Sequence, residues 1–199
     1  MLVLASASPR RRTLLTGAGL VFAIEAASVD ETWHPGELPR AYVLRVARAK
    51  ARTVYERAVN RHDRLPGLRV LAADTTVAIG DQVYGKPIDA RHAAAMIGDL
   101  AGREHLVHTA VVVIEAKPSG SAGERHRIVS TRVRFRALTS DEIAAYIATG
   151  EPFDKAGGYG IQGEGGALVD VVHGSYTNVV GLPLAETLAL LGDPRRYQK

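Results

Sequence analysis

Three stretches of the chain carry side chains whose types and spacing suit chemistry on an anionic substrate. The first is LASASPRRRTLL, residues 4–15. An apolar run passes through Ser6, Ser8 and Pro9 into three consecutive arginines, which gathers hydroxyls and free backbone N–H groups at a helix N-terminus, a ready anion site. Arg10, Arg11 and Arg12 project about 100° apart on such a helix, so one or two of them can face a single phosphate while another is solvated. Cations at this end oppose the helix dipole, which argues against a merely exposed basic turn. The second stretch is VLAADTTVAI. A carboxylate buried there is costly without a charge or metal to offset it, so Asp74 is the leading catalytic candidate, with a strand-end cap as the bland alternative. The third holds Lys86 in GKP, then Asp154 and Lys155 just before a glycine-rich tract. Lysines in such places are often only solvated.

That tract contains a formal G-x-G-x-x-G at Gly158, Gly160 and Gly163. It follows a helix and loop and opens no helix, so the strand-turn-helix context that gives a dinucleotide fingerprint its meaning is absent, while close backbone approach to a ligand remains available. No G-x-x-x-x-G-K-[ST] loop occurs. The seven histidines (34, 62, 92, 105, 108, 126 and 173) show no zinc spacing, and His105 and His108 fall on opposite strand faces. A hard divalent cation held by one or two carboxylates, such as Asp74 and Glu31, together with substrate phosphates suits this sequence better.

The elements that must position these groups follow from periodicity. MLVLA reads as a buried strand and Pro9 as a first helical turn, with Gly17 and Gly19 ending that helix. FAIEAASVDE is strand-like, and the prolines of residues 31–39 exclude regular structure. A helix from about Arg40 through Asn60 has an apolar stripe at Val43, Val46, Ala47, Val54 and Ala58, and Lys50 falls on the same stripe. That lysine is either a snorkelling stem or a cation facing an anionic cleft. Residues 69–80 form a strand interrupted by Asp74, and GDQVYGKP a turn, short strand and turn. A helix over 89–102 has Gly102 just past its end. Strands at 104–116 and 126–138 flank a flexible hairpin connection, 117–125. Thr139 and Glu142 form a capping box for a helix closing at Gly150. A strand at 167–174, a loop at 175–183 and a terminal helix from about Leu184 complete the chain. This pattern is mixed α/β: a twisted mixed sheet flanked by helices.

With 199 residues the chain reads as one compact unit, a single domain over 1–199. The 25 Lys and Arg against 21 Asp and Glu leave a small excess of +4, and with 6% aromatic residues there is neither the dense basic stripe nor the stacking platform of a stable nucleic-acid binder. The absence of cysteine excludes disulfides, thiolate metal sites and cysteine nucleophiles, and fits a cytoplasmic home. The apolar start lacks a basic n-region and is too short for a signal or membrane span.

Four blocks in order resemble the Maf family of nucleoside triphosphate pyrophosphatases: LASASPRR, AADTTVAIGDQVYGKP, LAGREHLVHTAVVV and DKAGGYGIQGEGGALVDVVHGSYTNVVGLPL. The resemblance spans nearly the whole chain and implies two lobes around a central cleft, with hydrolysis of a nucleotide to its monophosphate and pyrophosphate on a divalent cation, Mg²⁺ or Mn²⁺. It places the family's Ser-x-Ser-Pro-Arg-Arg loop on Ser6 to Arg11, including Ser8, Arg10 and Arg11. It places the acidic base or metal residue on Asp74, cleft lysines on Lys50, Lys86 and Lys155, and a first-lobe acid on Glu31. The YGIQG tail is similar to the dTTP/UTP subgroup, with Arg10, Thr75 and Gln162 as specificity positions, and a homodimer is implied too. Thr76 and Tyr84 depart from the family's common residues, leaving the charged positions intact. Gln162 offers the paired amide donor and acceptor a pyrimidine edge needs. The alternatives are a 7-methyl-GTP or purine-type pyrophosphatase, and a non-catalytic nucleic-acid-binding or septum-regulating protein using the same cleft.

Overall fold

Strand β3 (Arg69–Ile79) is buried on both faces along nearly its whole length, as expected of a strand covered by helices above and below. A computed structural model describes residues 1–61, 67–117 and 121–192. In it β3 pairs in parallel with β1 (Leu2–Leu4) and antiparallel with β5 (Glu104–Ala116). The sheet continues outward from β1 to β2 (Ala23–Ile24), and from β5 to β6 (Ala122–Phe135) and β7 (Val169–His173), while β4 (Gln82–Tyr84) adds to β3. The mixed sheet flanked by helices is therefore observed.

One face packs on α2 (Pro39–Arg61), whose buried stripe of Val43, Val46, Ala47, Lys50, Ala51, Val54 and Ala58 keeps helical spacing. It meets Val70 and Ala72 of β3 and Ala110, Val112 and Ile114 of β5. The opposite face carries two separate cores. Leu71 and Ala73 pack with Leu15 of α1 (Pro9–Gly17) and Leu190 of α6 (Leu184–Leu191). Further along the same strands, Val77 and Val107 pack with Met96 and Ile97 of α3 (Ala90–Leu100) and Tyr146 of α4 (Ser140–Ala148). Between those cores lie Thr75 and a cleft, so β3 and β5 run through both lobes.

Register explains where the cleft opens. β1 covers β3 only from Arg69 to Leu71, and β4 only from Val77 to Ile79. Among the described residues no strand lies beside 72–76 on that edge, and Asp74 sits at the middle of the gap.

Four local expectations are corrected. The strand-like segment 22–31 shrinks to Ala23–Ile24, because only Val3 and Leu4 are there to pair with it. β6 begins at Ala122, inside the expected hairpin connection, because Ala116 to Ala122 is in register and the ladder runs to the turn; residues 118–120 of that connection lie outside the described residues. The expected loop 175–183 contains α5 (Tyr176–Val180), capped by Ser175 accepting from the Asn178 N–H at 3.2 Å. The strand expected to run on to residue 138 ends at Phe135. Gly102, at φ +67°, follows α3 as expected, and the capping box of Thr139 and Glu142 is present. His62 and residues 193–199 of the expected 1–199 unit also fall outside the described residues.

Candidate active site

At the gap in β3, alternation divides the work. Asp74 points to the α2 face and Thr75 to the other. Lys50 reaches from the buried stripe of α2 and its Nζ lies 2.8 Å from Asp74 Oδ1 and 2.8 Å from Glu31 Oε1. Lys50 is 8% exposed and Asp74 6%, so each offsets the other's burial. The inward lysine is thus a cation facing carboxylates, and Asp74 is mid-strand, which removes the cap reading. Burial pushes the Asp74 carboxyl up, against the pull of Lys50 and Arg11. Tyr42 donates its hydroxyl to the Glu31 carbonyl at 2.9 Å and holds that loop in place; burial, reinforced by the charges of Asp74 and Glu31, pushes its pKa up to about 12.

The three arginines part company as their angular spacing requires. Arg12 is exposed. Arg11 is buried and donates from Nε to the Gly181 carbonyl (2.8 Å), from Nη1 to Ser6 Oγ (3.2 Å) and from Nη2 to Thr75 Oγ1 (3.0 Å). A guanidinium has five N–H donors, so it braces three segments and keeps donors for a ligand. Thr75 Oγ1 continues to Thr109 Oγ1 at 2.9 Å. Arg10 reaches across the cleft to Asp154 Oδ2 at 3.3 Å, and Lys155 Nζ meets the other Asp154 oxygen at 2.5 Å. Burial alone would raise the Asp154 carboxyl, but Lys155 and Arg10 hold it below the usual range. Ser8 caps α1, its hydroxyl facing the Arg11 N–H at 3.5 Å.

Lys86 and Gln162 are exposed on the walls of the same cleft, which has a volume of about 830 Å³. Every candidate named from sequence lines it: Ser8, Arg10, Arg11, Glu31, Lys50, Asp74, Thr75, Lys86, Lys155 and Gln162. Sequence reasoning missed Tyr42, Tyr159 and Glu151, which line it as well.

The glycine tract is explained by side chains, not by a dinucleotide. A Cβ on Gly160 would lie 2.5 Å from Lys155 Cε, and one on Gly163 would lie 2.2 Å from Glu151 Oε2. Gly157, at φ +72°, abuts Val77 so closely that a Cβ would come within 2.7 Å of it. The tract folds as 3₁₀ turns at Ala156–Gly158 and Glu164–Leu168.

Among the described residues, no group of three or more His, Asp or Glu side chains converges to hold a metal. The convergence that does exist is of two carboxylates, Asp74 and Glu31, on one point now held by the Lys50 ammonium. Two hard oxygen donors beside an open cleft fit a cation that completes its shell with phosphate and water.

The fold and this site define a mixed α/β protein with a cleft between two lobes, lined by arginines and lysines and with a buried carboxylate at its centre. The chain belongs to the Maf family: the model for Maf-like protein matches residues 1–193. A dTTP/UTP pyrophosphatase of Myxococcus xanthus (strain DK1622) is 53% identical over 191 residues, covering 96% of this chain and 91% of that one. A dTTP/UTP pyrophosphatase of Anaeromyxobacter sp. (strain Fw109-5) is 54% identical over 190 residues, covering 96% and 87%. Among solved structures, a HAM1 protein from Coxiella burnetii aligns over 96% of this chain and 97% of that one at 16% identity, with a TM-score of 0.43.

Proposed function

We propose that this protein is a nucleoside triphosphate pyrophosphatase that hydrolyses dTTP and UTP to the monophosphate and pyrophosphate. The observation that carries the reading is the buried Lys50, held between Asp74 and Glu31 where β3 lies open to the cleft. The relatives' printed activity and the YGIQG segment support the pyrimidine substrate.

In this reading Arg10, Lys86 and Lys155 take the polyphosphate, with Arg10 and Lys155 released from Asp154 as phosphate oxygens replace its carboxylate. Ser8 and the N-terminus of α1 add hydroxyl and N–H donors. A water oxygen bonds to the α-phosphorus as the α–β anhydride bond breaks, pyrophosphate leaves, and Asp74 takes the water's proton. Lys50 holds Asp74 in place and stabilises charge that builds on the phosphoryl oxygens. Asp74 and Glu31 would hold Mg²⁺ or Mn²⁺, which when bound polarises the phosphoryl group. Gln162 meets the base edge with its amide, and Thr75 and Arg11 fix the floor beneath.

The chain acts as a single domain, supported by the family match over residues 1–193 and by β3 and β5 running through both lobes. A homodimer rests on the family resemblance, and a cytoplasmic site on the cysteine-free sequence. Among the described residues, no helix is long and apolar enough to cross a membrane.

The test is pyrophosphate release from dTTP, UTP, CTP, 7-methyl-GTP and ITP, with Mg²⁺ or Mn²⁺ and with chelator. Metal-dependent turnover of dTTP and UTP is expected. Turnover confined to purines would overturn the substrate assignment, and none at all would overturn the reaction.

A further inference from the structure

We propose that Glu151 is a positioning residue for base selection: with Tyr146 it forms the post around which the loop carrying Gln162 is wound. The inference rests on the reading that Gln162 meets the base. Glu151 stands at the start of a 3₁₀ turn after α4, ahead of Pro152. Its Oε2 accepts from the Glu164 N–H at 2.9 Å. Its Oε1 accepts from the Gly165 N–H at 3.1 Å and from the Tyr146 hydroxyl at 3.0 Å. The Tyr146 oxygen in turn accepts from the Gly160 N–H at 3.3 Å. Two side chains on one short stretch thus hold the backbone on both sides of Gln162.

The glycines are the imprint of this arrangement. A Cβ at Gly163 would overlap Glu151 Oε2 at 2.2 Å, and one at Gly165 would lie 2.7 Å from the Tyr146 oxygen. The loop approaches the carboxylate more closely than any side chain permits. A carboxylate is also required, because three donors converge on its two oxygens and all need acceptors. Glutamine must turn its NH₂ toward one of those donors. Burial alone would raise this carboxyl, yet the Gly165 and Glu164 N–H groups, the Tyr146 hydroxyl and Lys155 hold it below its ordinary value, so it stands ionised in the role assigned.

Lys155 is anchored differently, by the Glu151 main-chain carbonyl at 2.7 Å, so changing the Glu151 side chain leaves that phosphate-side contact in place. The experiment compares Glu151→Gln, Tyr146→Phe and Gln162→Ala in the full chain. Three readouts are taken: amide exchange at Gly160, Glu164 and Gly165 by NMR, the ratio of kcat/KM for dTTP over ITP, and binding of inorganic tripolyphosphate, which has no base. For Glu151→Gln we expect exchange at Glu164 and Gly165 to quicken about tenfold, as loss of a charged acceptor implies. The dTTP/ITP ratio falls by about the same factor, mostly through KM, while tripolyphosphate binding does not weaken, because the variant keeps the Lys155 anchor and removes a negative charge beside it. Tyr146→Phe, which keeps the ring in its core, quickens exchange at Gly160 and lowers the ratio in the same direction. Wild-type exchange in both variants would overturn the proposal. So would quickened exchange with an unchanged ratio while Gln162→Ala lowers it. A Gln162→Ala variant with the wild-type ratio would instead overturn the reading of Gln162, and the selection role of Glu151 with it.

Discussion

The ammonium of Lys50, on α2, donates to Asp74 Oδ1 on β3 across 2.8 Å, at the edge of a largely apolar interface between the helix and the sheet. Each charge offsets the other's burial, with Glu31 on the Lys50 side and Arg11 on the Asp74 side adding to the balance. Lys50→Met therefore costs about 3 kcal/mol of stability by leaving a buried carboxylate unpaired. The double variant Lys50→Met with Asp74→Asn recovers most of that loss, and chemical denaturation of the four proteins in the cycle checks it.

Asp74→Asn keeps the shape of the site and removes the proton acceptor. Turnover of dTTP and UTP falls by roughly three orders of magnitude with little change in KM, as expected for a lost general base. Because burial raises the Asp74 pKa while Lys50 lowers it, the acidic limb of the wild-type rate profile lies above the ordinary carboxylate value of 3.8. Full turnover by the asparagine variant in a pyrophosphate-release assay would remove Asp74 from the role.

The Arg10 to Asp154 pair joins the lobes at the surface, with side-chain exposures of 29% and 64%. Such a pair adds at most about 1 kcal/mol, so Arg10→Ala leaves Tm nearly unchanged. Its cost falls on the substrate, as a KM higher by about tenfold. Thermal melts and steady-state kinetics on one preparation separate the two effects.

His105 lies behind Tyr159, its Nε2 2.8 Å from the tyrosine hydroxyl, edge-on to Phe135 and 2% exposed. Burial lowers its pKa from 6.5 to about 4. The folded state refuses a proton that the unfolded chain accepts, so the contribution to stability is intact above 6.5 and is lost as pH falls toward 4. The slope approaches 1.4 kcal/mol per pH unit within that window. His105→Gln does not titrate, and urea titrations of both proteins at neutral and mildly acidic pH give the difference directly.

Two glycine-to-alanine changes bracket the effect of close packing. Gly163→Ala drives a methyl into the Glu151 carboxylate and destabilises by about 1–3 kcal/mol. Gly98, exposed in α3 with nothing within 4 Å of a Cβ, gains up to about 1 kcal/mol from the same change. Equal melting shifts for the two would contradict this account of the tract.

The parts of this site legible in the sequence are those written by local rules. Lys50 declared itself by falling on an apolar stripe, and Asp74 by interrupting a β-branched run. Angle alone required the three arginines to part, without saying which one turns to solvent; the family resemblance named Arg10 and Arg11, and the structure exposes Arg12 and puts those two on the cleft. Glu151 could not be read, because its partners Glu164 and Gly165 stand 13 and 14 residues away and its signature is a set of absent side chains. Helix α5 was hidden for a related reason. Val179, Val180 and Gly181 read as a loop, and tertiary contacts, including the Arg11 bond to the Gly181 carbonyl and the Thr109 bond to the Asn178 carbonyl, stabilise the turn around them.

The uncovered stretch of β3 has a bearing on solubility. An unpaired strand edge invites another chain to add to the sheet, which is how edge-to-edge aggregation starts. Here the opening is only residues 72–76, stopped at one end by β1 and at the other by β4. An incoming strand would collide with both before it could form a ladder of useful length. The same boundaries that leave room for a small ligand make the central strand a poor template for polymerisation.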